Sequence, residues 1–464
     1  MRGLAATVLV VLLAARGFAD EETEKVKREL EEMKRSQAEL LDMLKKQGER
    51  MAALEARLTG QPPAVVPKEG EKPVEPVKWN ELVAGSSKIK FYGFIRADMV
   101  YDDSRPNNTQ TIAFIRSEDD LAPSSIGAPD DAEDITIHPR LTRFGFELDG
   151  PNVTALGDAK VKGKIEVDFY NNGLLGQSES RQALRMRHAY LTLDWTDLTV
   201  LAGQTSDLIS PIWPIVNSDL VMWGAGNLGD RRPQFRLTWH PALGPGELVA
   251  AGMVGLTGAD DNQDIDPAGS TGAGFRDGET SGQPTFQGRL AYRYPLWKEK
   301  KQNLEVGLWA HTAREHTDFE FLGEEDDFRS RAFGADLVVP IYEDLFWFKG
   351  EIWTGKNLDD IRGGIFQGIN TVLAKEIDSE GGFGEFGFKA CKWYSITAGY
   401  SQDNPDNSDL NAGGRTKNEI VYLANRFNFD PIEIGLDYLN WTTDYKDFDE
   451  GDDNRFNLYI MYKF

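Results

Sequence analysis

The sequence is poor in cysteine and has no long apolar run beyond its first twenty residues. A single cysteine, Cys391, stands among 464 residues, so no disulfide within the chain stabilises the fold, and we give that thiol no role beyond a small buried residue. A membrane-spanning helix needs about 20 apolar residues in a row. The mature chain is therefore either an aqueous globular protein or a membrane protein that crosses in strands.

Positive charge is also scarce. The chain has 51 Lys and Arg against 75 Asp and Glu, a net charge of -24, which argues against nucleic acid as a partner. The five histidines are scattered, and no HExxH, CxxC, Walker loop or nucleophile elbow is present. We therefore predict neither an enzyme nor a cofactor. An outer-membrane hydrolase would need a pair such as His188 with a serine on a neighbouring strand, and the lipid-facing phase of His188 disfavours it.

The acidic segment DDNQDID is a candidate calcium-binding loop. Asp260, Asn262, Asp264 and Asp266 alternate as calcium ligands do, but the turn glycine and the distal bidentate Glu are missing. We interpret the segment as a solvated acidic loop and predict no metal site.

The N-terminal residues indicate export. Arg2 precedes the apolar run from Leu4 to Ala15, and the small residues Gly17 and Ala19 fit a signal-peptidase site before Asp20. Residues 1–19 are predicted to be a signal peptide, and this places the mature chain beyond the inner membrane.

Residues 20–60 carry a seven-residue apolar repeat. One core position holds Val26, Met33, Leu40 and Leu54, and the other holds Leu30, Leu44, Met51 and Leu58, with charged flanks typical of a coiled coil. Gln37 and Gln47 occupy core layers, where buried amides can fix register and suit a trimer. The alternative is a single solvated helix. Residues 61–87, rich in proline, are predicted to be an extended linker of up to roughly 60 Å.

From Lys88 the hydrophobic period becomes two. KIKFYGFIRADMVY, Lys88 to Tyr101, alternates apolar and polar residues over a length that suits a tilted membrane crossing. About sixteen such strands follow one another to Phe464, including Asp134 to Leu148, Leu304 to Thr312 and Phe328 to Val339, and the connections alternate between short turns and long polar loops. The fold class is therefore an all-β transmembrane barrel of about sixteen antiparallel strands, preceded by the α-helical coiled coil.

The last strand carries the same alternation to its end. Phe456, Leu458 and Ile460 share one face with Tyr462 and Phe464, which suits lipid, while the opposite face suits water. A final strand ending in Phe with aromatic residues at alternate positions resembles the assembly signal of bacterial outer-membrane proteins.

The resemblance becomes more specific with KFYGFIRADMVYD, LRMRHAYLTLDW and the GQ pair at Gly203 and Gln204, preceded by signal peptide, coiled coil and linker. Together these resemble the DcaP-like trimeric porins. The phosphate-selective porins are the nearest competing family and share short motifs such as the GE pair at Gly350 and Glu351. In both families the resemblance implies an outer-membrane homotrimer for passive diffusion of small solutes, with the third long loop narrowing the channel.

Carried onto this sequence, the constriction loop is Ser206 to Asp230. Pro211, Trp213, Pro214 and Trp223 make it stiffer and more apolar than an exposed loop, which favours packing inside a lumen.

Strand phase predicts the residues that line the pore. In LRMRHAYLTL, Leu184, Met186 and Tyr190 form the apolar face, so Arg185 and Arg187 are expected to point inward. The predicted lining residues are Arg96, Lys162, Lys164, Arg181, Arg185, Arg187, Arg236, Arg289, Arg293 and Glu351. Guanidinium groups in a narrow channel would favour small anions such as organic acids. Equally, the arginines could pair with lumenal carboxylates such as Glu166, Asp168, Glu305, Asp336 and Glu385 and simply brace the barrel.

Two further hypotheses stay open. The coiled coil and linker could reach through the periplasm toward peptidoglycan, which would make the protein mainly a structural tether of the envelope. A soluble secreted β protein that oligomerises through its coil is the third possibility, and strand length and the aromatic final strand count against it.

Overall fold

A computed structural model describes residues 81–84, 86–108, 111–119, 133–169, 183–217, 221–258, 277–321 and 325–464. The signal peptide, the coiled coil, most of the linker, Arg181 and the DDNQDID segment therefore lie outside the described residues. Within the described ranges, no helix is both long and apolar enough to span a membrane.

Strands dominate the described chain. They are β1 Glu81–Ala84, β2 Ser87–Asp102, β3 Asp134–His138, β4 Arg143–Val153, β5 Ala159–Asp168, β6 Arg185–Asp194, β7 Leu198–Ser206, β8 Arg231–Trp239, β9 Ala242–Leu243, β10 Gly246–Gly255, β11 Thr285–Trp297, β12 Gln302–Phe321, β13 Glu325–Tyr342, β14 Phe346–Lys356, β15 Ile369–Asn370, β16 Lys375–Glu376, β17 Asp378–Cys391, β18 Tyr394–Pro405, β19 Arg415–Phe429, β20 Ile432–Tyr445 and β21 Phe448–Lys463. Helical segments are single turns, at Thr154–Leu156, Asp277–Thr280, Lys298–Lys300, Asp359–Ile361, Gly364–Phe366 and Asn407–Asp409.

Seventeen of these segments form the sixteen strands of one closed antiparallel barrel, as the alternation predicted. β3 and β4 both pair with β2 and together count as one barrel strand, interrupted between His138 and Arg143. The last strand, β21, pairs with β2, and Phe464 exchanges backbone hydrogen bonds with Gly93 at 3.0 and 3.2 Å. Closure leaves no unpaired edge for the chain to expose.

The strands follow the predicted alternation between an inward and an outward face. In β21, Phe456 and Ile460 are 45% and 52% exposed, whereas Arg455 and Asn457 between them are 0% and 1% exposed. Val421 and Asn425 in β19, whose phases conflict by residue type, both face outward, and Asn425 accepts a hydrogen bond from the Tyr394 hydroxyl at 2.9 Å. The outer surface is therefore apolar and the inner surface polar.

Two details differ from the predicted strands. β12 and β13 extend well beyond Thr312 and before Phe328, so the predicted connection between them is largely paired strand. Glu81–Ala84, at the end of the predicted linker, pairs with the start of β2. Cys391 is half-buried, not fully buried as expected.

The barrel has a turn end and a loop end. At the turn end, short connections such as Asp430–Pro431 join neighbouring strands. Three of the long connections at the loop end are described in large part: L1 (residues 103–133, described at 103–108, 111–119 and 133), L3 (residues 207–230, described except for 218–220) and L6 (residues 357–377). Described residues from all three fold into the barrel, where they form apolar clusters with the inner wall.

Candidate functional site

L3 is fixed at its base by a buried guanidinium. Arg232, whose side chain is 0% exposed, donates to Asp207 at 2.7 Å and to Asp360 of L6 at 2.9 Å. Asp207 also accepts from the backbone N–H of Asp230 at 3.0 Å, which closes the two ends of the loop on each other. One arginine thus joins the base of L3 to L6.

The middle of L3 lies against the inner wall of β14 and β17. The Ser210 hydroxyl bonds Glu351, Lys349 donates to the Trp213 carbonyl at 2.6 Å, and the Ile215 N–H donates to Glu385 at 2.9 Å. The loop therefore follows the wall instead of crossing the centre of the barrel.

The tip of L3 reaches the seam where the barrel closes. Asn217 donates to Asp98 of β2 at 2.7 Å, its N–H donates to Asp437 of β20 at 2.5 Å, and its carbonyl accepts from Asn457 of β21 at 2.6 Å. L3 thus covers the wall from β11 round to β21 and β2. The part of the lumen that it leaves open faces β4, β5 and β6.

L6 and L1 pack on L3 from the loop end. Arg362 of L6 donates to Asp230 at 3.0 Å and lies over the Trp223 ring, with 4.5 Å from its guanidinium carbon to the centroid. Burial alone would raise the pKa of the Asp230 carboxyl, but the charges of Arg362 and Arg231 outweigh it and hold that pKa below its usual value. Trp223 and Ala113 of L1 share one apolar cluster. The three loops therefore form one packed body.

The predicted aromatic and proline residues of L3 lie in this body. Trp223 is 3% exposed, and its ring centroid is 5.8 Å from that of Trp213. Pro214 is buried, Trp213 is half-buried and Pro211 is exposed within the barrel. Their predicted role in narrowing the channel depends on this position inside the barrel.

Charged side chains from β4, β5 and β6 form a ladder on the open wall. Arg185 holds Asp168 with two bonds of 2.9 and 2.7 Å. Arg187 bridges Glu166 at 2.8 Å and Asp168 at 2.9 Å. Tyr92 of β2 donates to Glu166 at 2.8 Å. The arginines are therefore paired, as the bracing alternative expected.

In the ion pairs around Glu166 and Asp168, the basic side chains are far more exposed than the carboxylates. The side chains of Arg185 and Lys164 are 25% and 24% exposed, whereas those of Asp168 and Glu166 are 0% and 5% exposed. Arg143 of β4, 3.6 Å from Glu166, is 27% exposed. In these pairs the carboxylates lie behind the cations, so this part of the wall presents positive charge to the lumen even though each pair is nearly neutral. Nearer the turn end the same wall also exposes carboxylates, at Glu147 and Asp149.

A β-bulge in β6 corrects the predicted phase of two residues. Val167 of β5 pairs with Met186 but Glu166 pairs with His188, so Arg187 is an extra residue in β6. His188 consequently faces inward and bonds Thr205 at 3.0 Å, and Tyr190 lines an inner cavity. The predicted outward phase of His188 and Tyr190 is wrong because the period of two holds only without a bulge.

The other predicted lining residues also lie on the inner face but differ in environment. Arg96 bonds Asp98 at 2.7 Å, Lys162 bonds Asp194 at 2.7 Å, Arg289 bonds Asp336 and Glu305, Arg293 bonds Glu305 at 2.8 Å, and Arg236 bonds Gln234 at 2.7 Å. Glu351 is 3% exposed beneath L3. Arg289 and Glu351 therefore support the wall that L3 covers. Arg96 lies beside Asp98, which L3 contacts through Asn217, whereas Lys162 and Lys164 lie on β5 of the open wall.

Two residues important to the arrangement were not among the predicted lining residues. Arg143 could have been found, since it starts the alternation Arg143, Gly145, Glu147 on the inward face. Arg232 could not, because its role depends on Asp360, 128 residues away.

Cavities lie at both ends of the open lumen. At the turn end, a cavity of about 570 Å³ is lined by side chains of β2, β4, β5 and β6, among them Lys88, Lys90, Lys160, Lys162 and Lys164. At the loop end, a cavity of about 950 Å³ is lined by Phe114, Arg116, Arg415, Tyr445 and other residues of L1 and the last loops. Both cavities also contain carboxylates: Glu147, Asp149 and Asp194 at the turn end, and Asp119 and Asp447 at the loop end. Lysines outnumber carboxylates at the turn end, whereas the two signs are balanced at the loop end.

No group of three or more His, Cys, Asp or Glu side chains within the described ranges is arranged to hold a metal ion. His311, in the wall of β12, bonds Ser330 at 3.1 Å and Gln287 at 3.2 Å. These hydrogen bonds hold the His311 ring in place within the barrel wall.

A closed 16-stranded barrel with a loop folded inside defines a porin-type fold. The DcaP outer-membrane channel of Acinetobacter baumannii shares it with a TM-score of 0.62 and 18% identity, over 82% of this chain and 99% of that one. OmpF of Salmonella typhi in complex with daunomycin gives a TM-score of 0.52 at 12% identity, covering 83% of this chain and 100% of its own. The anion-selective porin of Comamonas acidovorans gives 0.51 at 12% identity, covering 82% and 100%.

No family model matches the sequence, and no curated protein matches it. The structural similarity establishes the porin fold, and at that level the predicted resemblance to the DcaP-like porins is confirmed.

Proposed function

We propose that this protein is a homotrimeric outer-membrane porin of the DcaP-like kind, through which small hydrophilic solutes diffuse passively. Its outward faces carry large exposed apolar side chains such as Ile352 and Phe333, 70% and 62% exposed. Its inner face is charged, and the barrel has no open edge. This arrangement suits a membrane outside and water inside.

The pore prefers small anions such as organic acids. The observation that carries this preference is the exposure of Arg143, Lys164 and Arg185 above the buried carboxylates Glu166 and Asp168. A partly dehydrated guanidinium can hold a carboxylate through two hydrogen bonds before releasing it. The Comamonas porin named anion-selective has the same fold, but the charge arrangement of this chain is the stronger support.

Acidic loops at the mouth oppose this preference only at short range. The chain's net charge is -24, and segments such as DFDEGDDN place carboxylates near the loop end. At physiological salt their field decays within about 8 Å. The exposed cations of the inner wall therefore control selectivity where the lumen is narrow.

The test is planar-bilayer recording of the full mature protein in a salt gradient. We expect the conductance to rise in groups of three equal steps, one for each pore of a trimer, and the reversal potential to have the sign of an anion-selective pore. In R185Q/R187Q the reversal potential should shift toward cation selectivity. K389Q/K392Q, which removes the same charge at the end of β17 and in the turn after it, is the matched control. A cation-selective wild type, or an unchanged reversal potential in R185Q/R187Q, would overturn the anion preference.

A second candidate function is a structural tether. The heptad repeat from Val26 to Leu58 and the proline-rich segment after it favour a rod and spacer joined to the barrel. Absence of conductance, together with co-sedimentation of the protein with purified peptidoglycan, would favour this function over the porin.

A further inference from the structure

Basic residues cap the outward face of β12, β13 and β14 at the loop end. Arg314 lies opposite Arg329 in the β12–β13 ladder, and Arg331 lies opposite Lys356 in the β13–β14 ladder. All four side chains alternate with inward neighbours such as Phe328 and Ser330, which are 0% exposed. We call these four residues the outer basic cluster.

The outer basic cluster lies immediately beyond the apolar band. Arg331 precedes Phe333 by two residues on the same face, and Phe333, Ile352 and Leu308 are 62%, 70% and 61% exposed. Alternate residues of a strand are about 6.6 Å apart along its axis. The guanidinium of Arg331 therefore lies one step above side chains that face hydrocarbon, at the depth of lipid headgroups.

Half of the positive charge in the cluster has no carboxylate partner. Arg314 pairs with Asp327, and Lys356 pairs with Glu376 at 3.1 Å. Arg329 and Arg331 form no ion pair with any side chain that the structure describes, and both are exposed. Their spacing of two residues places two guanidinium groups on one face within reach of a single phosphorylated headgroup.

The described outward residues of β3, β19, β20 and β21 form no such cluster at the same height. On β19, β20 and β21 the outward residues near the loop end include Glu419, Asp444 and Asp452, and the one lysine among them, Lys417, is paired with Glu419. On β3 the outward residues are Ile135 and Ile137, 62% and 66% exposed. In a chain with net charge -24, an unpaired basic surface on this wall indicates an anionic partner there.

We propose that the outer basic cluster binds the phosphate groups of a phosphorylated lipid in the leaflet at the loop end. Arg329 and Arg331 each offer a planar fork of N–H donors to phosphate oxygens. Arg314 and Lys356, already paired, hold the flanks of the cluster. Side chains such as Phe333 and Ile352 contact the acyl chains beneath. The proposal rests on the barrel spanning a membrane and is independent of the solute that the pore carries.

The experiment measures lipid binding to the full detergent-purified protein by native mass spectrometry. Diphosphoryl lipid A is the probe, its dephosphorylated form tests the phosphate, and excess inorganic phosphate tests whether the free ion competes as well as the lipid. We expect R329Q/R331Q to weaken binding of diphosphoryl lipid A by about tenfold or more, with conductance unchanged. K389Q/K392Q, matched in charge, should bind as wild type does.

A second variant separates recognition from folding. R329K/R331K keeps both charges but loses the forks, and we expect it to fold as wild type does and to lose less affinity than R329Q/R331Q. Equal binding by wild type and R329Q/R331Q, or equal loss in K389Q/K392Q, would overturn the proposal. So would dissociation of an oligomer in R329Q/R331Q with lipid affinity unchanged, since the cluster would then be a contact between copies. If the wild-type protein shows no conductance, the proposed porin function fails, but the lipid-binding measurement still tests the outer basic cluster.

Discussion

Arg185 and Asp168 form a two-bonded ion pair in which only the cation meets the lumen. The bonds measure 2.9 and 2.7 Å, and the side chains are 25% and 0% exposed. Arg187 shares the same carboxylate at 2.9 Å. Since a passing solute contacts the exposed partner, a neutral pair can act as a positive surface.

Removing the buried member of this pair should therefore raise anion selectivity while weakening the barrel. In D168N, two guanidinium groups lose their shared anion, and we expect unfolding in denaturant to require about 3–5 kcal/mol less free energy. The reversal potential should move further toward anions. D149N is the control, because Asp149 is 51% exposed beside Lys160 and should change stability little. A D168N barrel as stable as wild type would contradict the expectation.

Arg232 should control the mobility of both L3 and L6. Its guanidinium is 0% exposed and bonds Asp207 and Asp360, so R232Q leaves two carboxylates buried without a cation. We expect a stability loss of about 3–5 kcal/mol and single-channel currents that fluctuate more than those of wild type. R232K, which keeps the charge, should lie between the two. Quiet wild-type currents in R232Q would show that the loops are held by their apolar clusters alone.

The contact between Asp230 and Arg362 predicts an acid limit for the packing of L3 on L6. The folded pKa of Asp230 lies below its ordinary value of 3.8, so its contribution to stability is full above that value and is lost as pH falls through the folded pKa. We expect L3 to become accessible to protease only in strong acid. D230N should lower stability at neutral pH and remove this acid-dependent step, and an unchanged step in D230N would assign it to another group.

The bulge at Arg187 can be tested by labelling. In a background of C391S, Y190C should react with a membrane-impermeant maleimide, because Tyr190 lines the turn-end cavity. L191C should stay unreactive in liposomes, because Leu191 is 50% exposed on the outward face. The reverse pattern would show that β6 keeps an uninterrupted period of two.

The sequence was sufficient for the barrel because each strand carries its own local signal. Alternation in β2 and β21 gave the correct inward and outward faces, since one buried and one outward face specify register residue by residue. The bulge at Arg187 could not be predicted in this way, because it changes phase without changing composition. One extra residue was enough to misplace His188 and Tyr190.

The candidate site was less predictable because it depends on contacts between distant segments. Inward-facing arginines could be found from phase, but which partner is buried beneath them requires the neighbouring strand. L6 looked like an ordinary polar connection. Its residues Leu358 and Ile361 are both 0% exposed because they complete an apolar cluster with Ile209 and Leu228 of L3.

The attachment of the L3 tip bears on the order in which the molecule forms. Asn217 bonds Asn457, 240 positions later in the chain, and Asp98, 119 positions earlier. Contacts between residues so far apart in sequence form slowly, because a long segment must close into a loop before the contact can stabilise it. The loop can reach its final position only when the first and last strands are already side by side. Packing of L3 along the inner wall is therefore a late event, and an assembly intermediate would hold an emptier barrel than the finished protein.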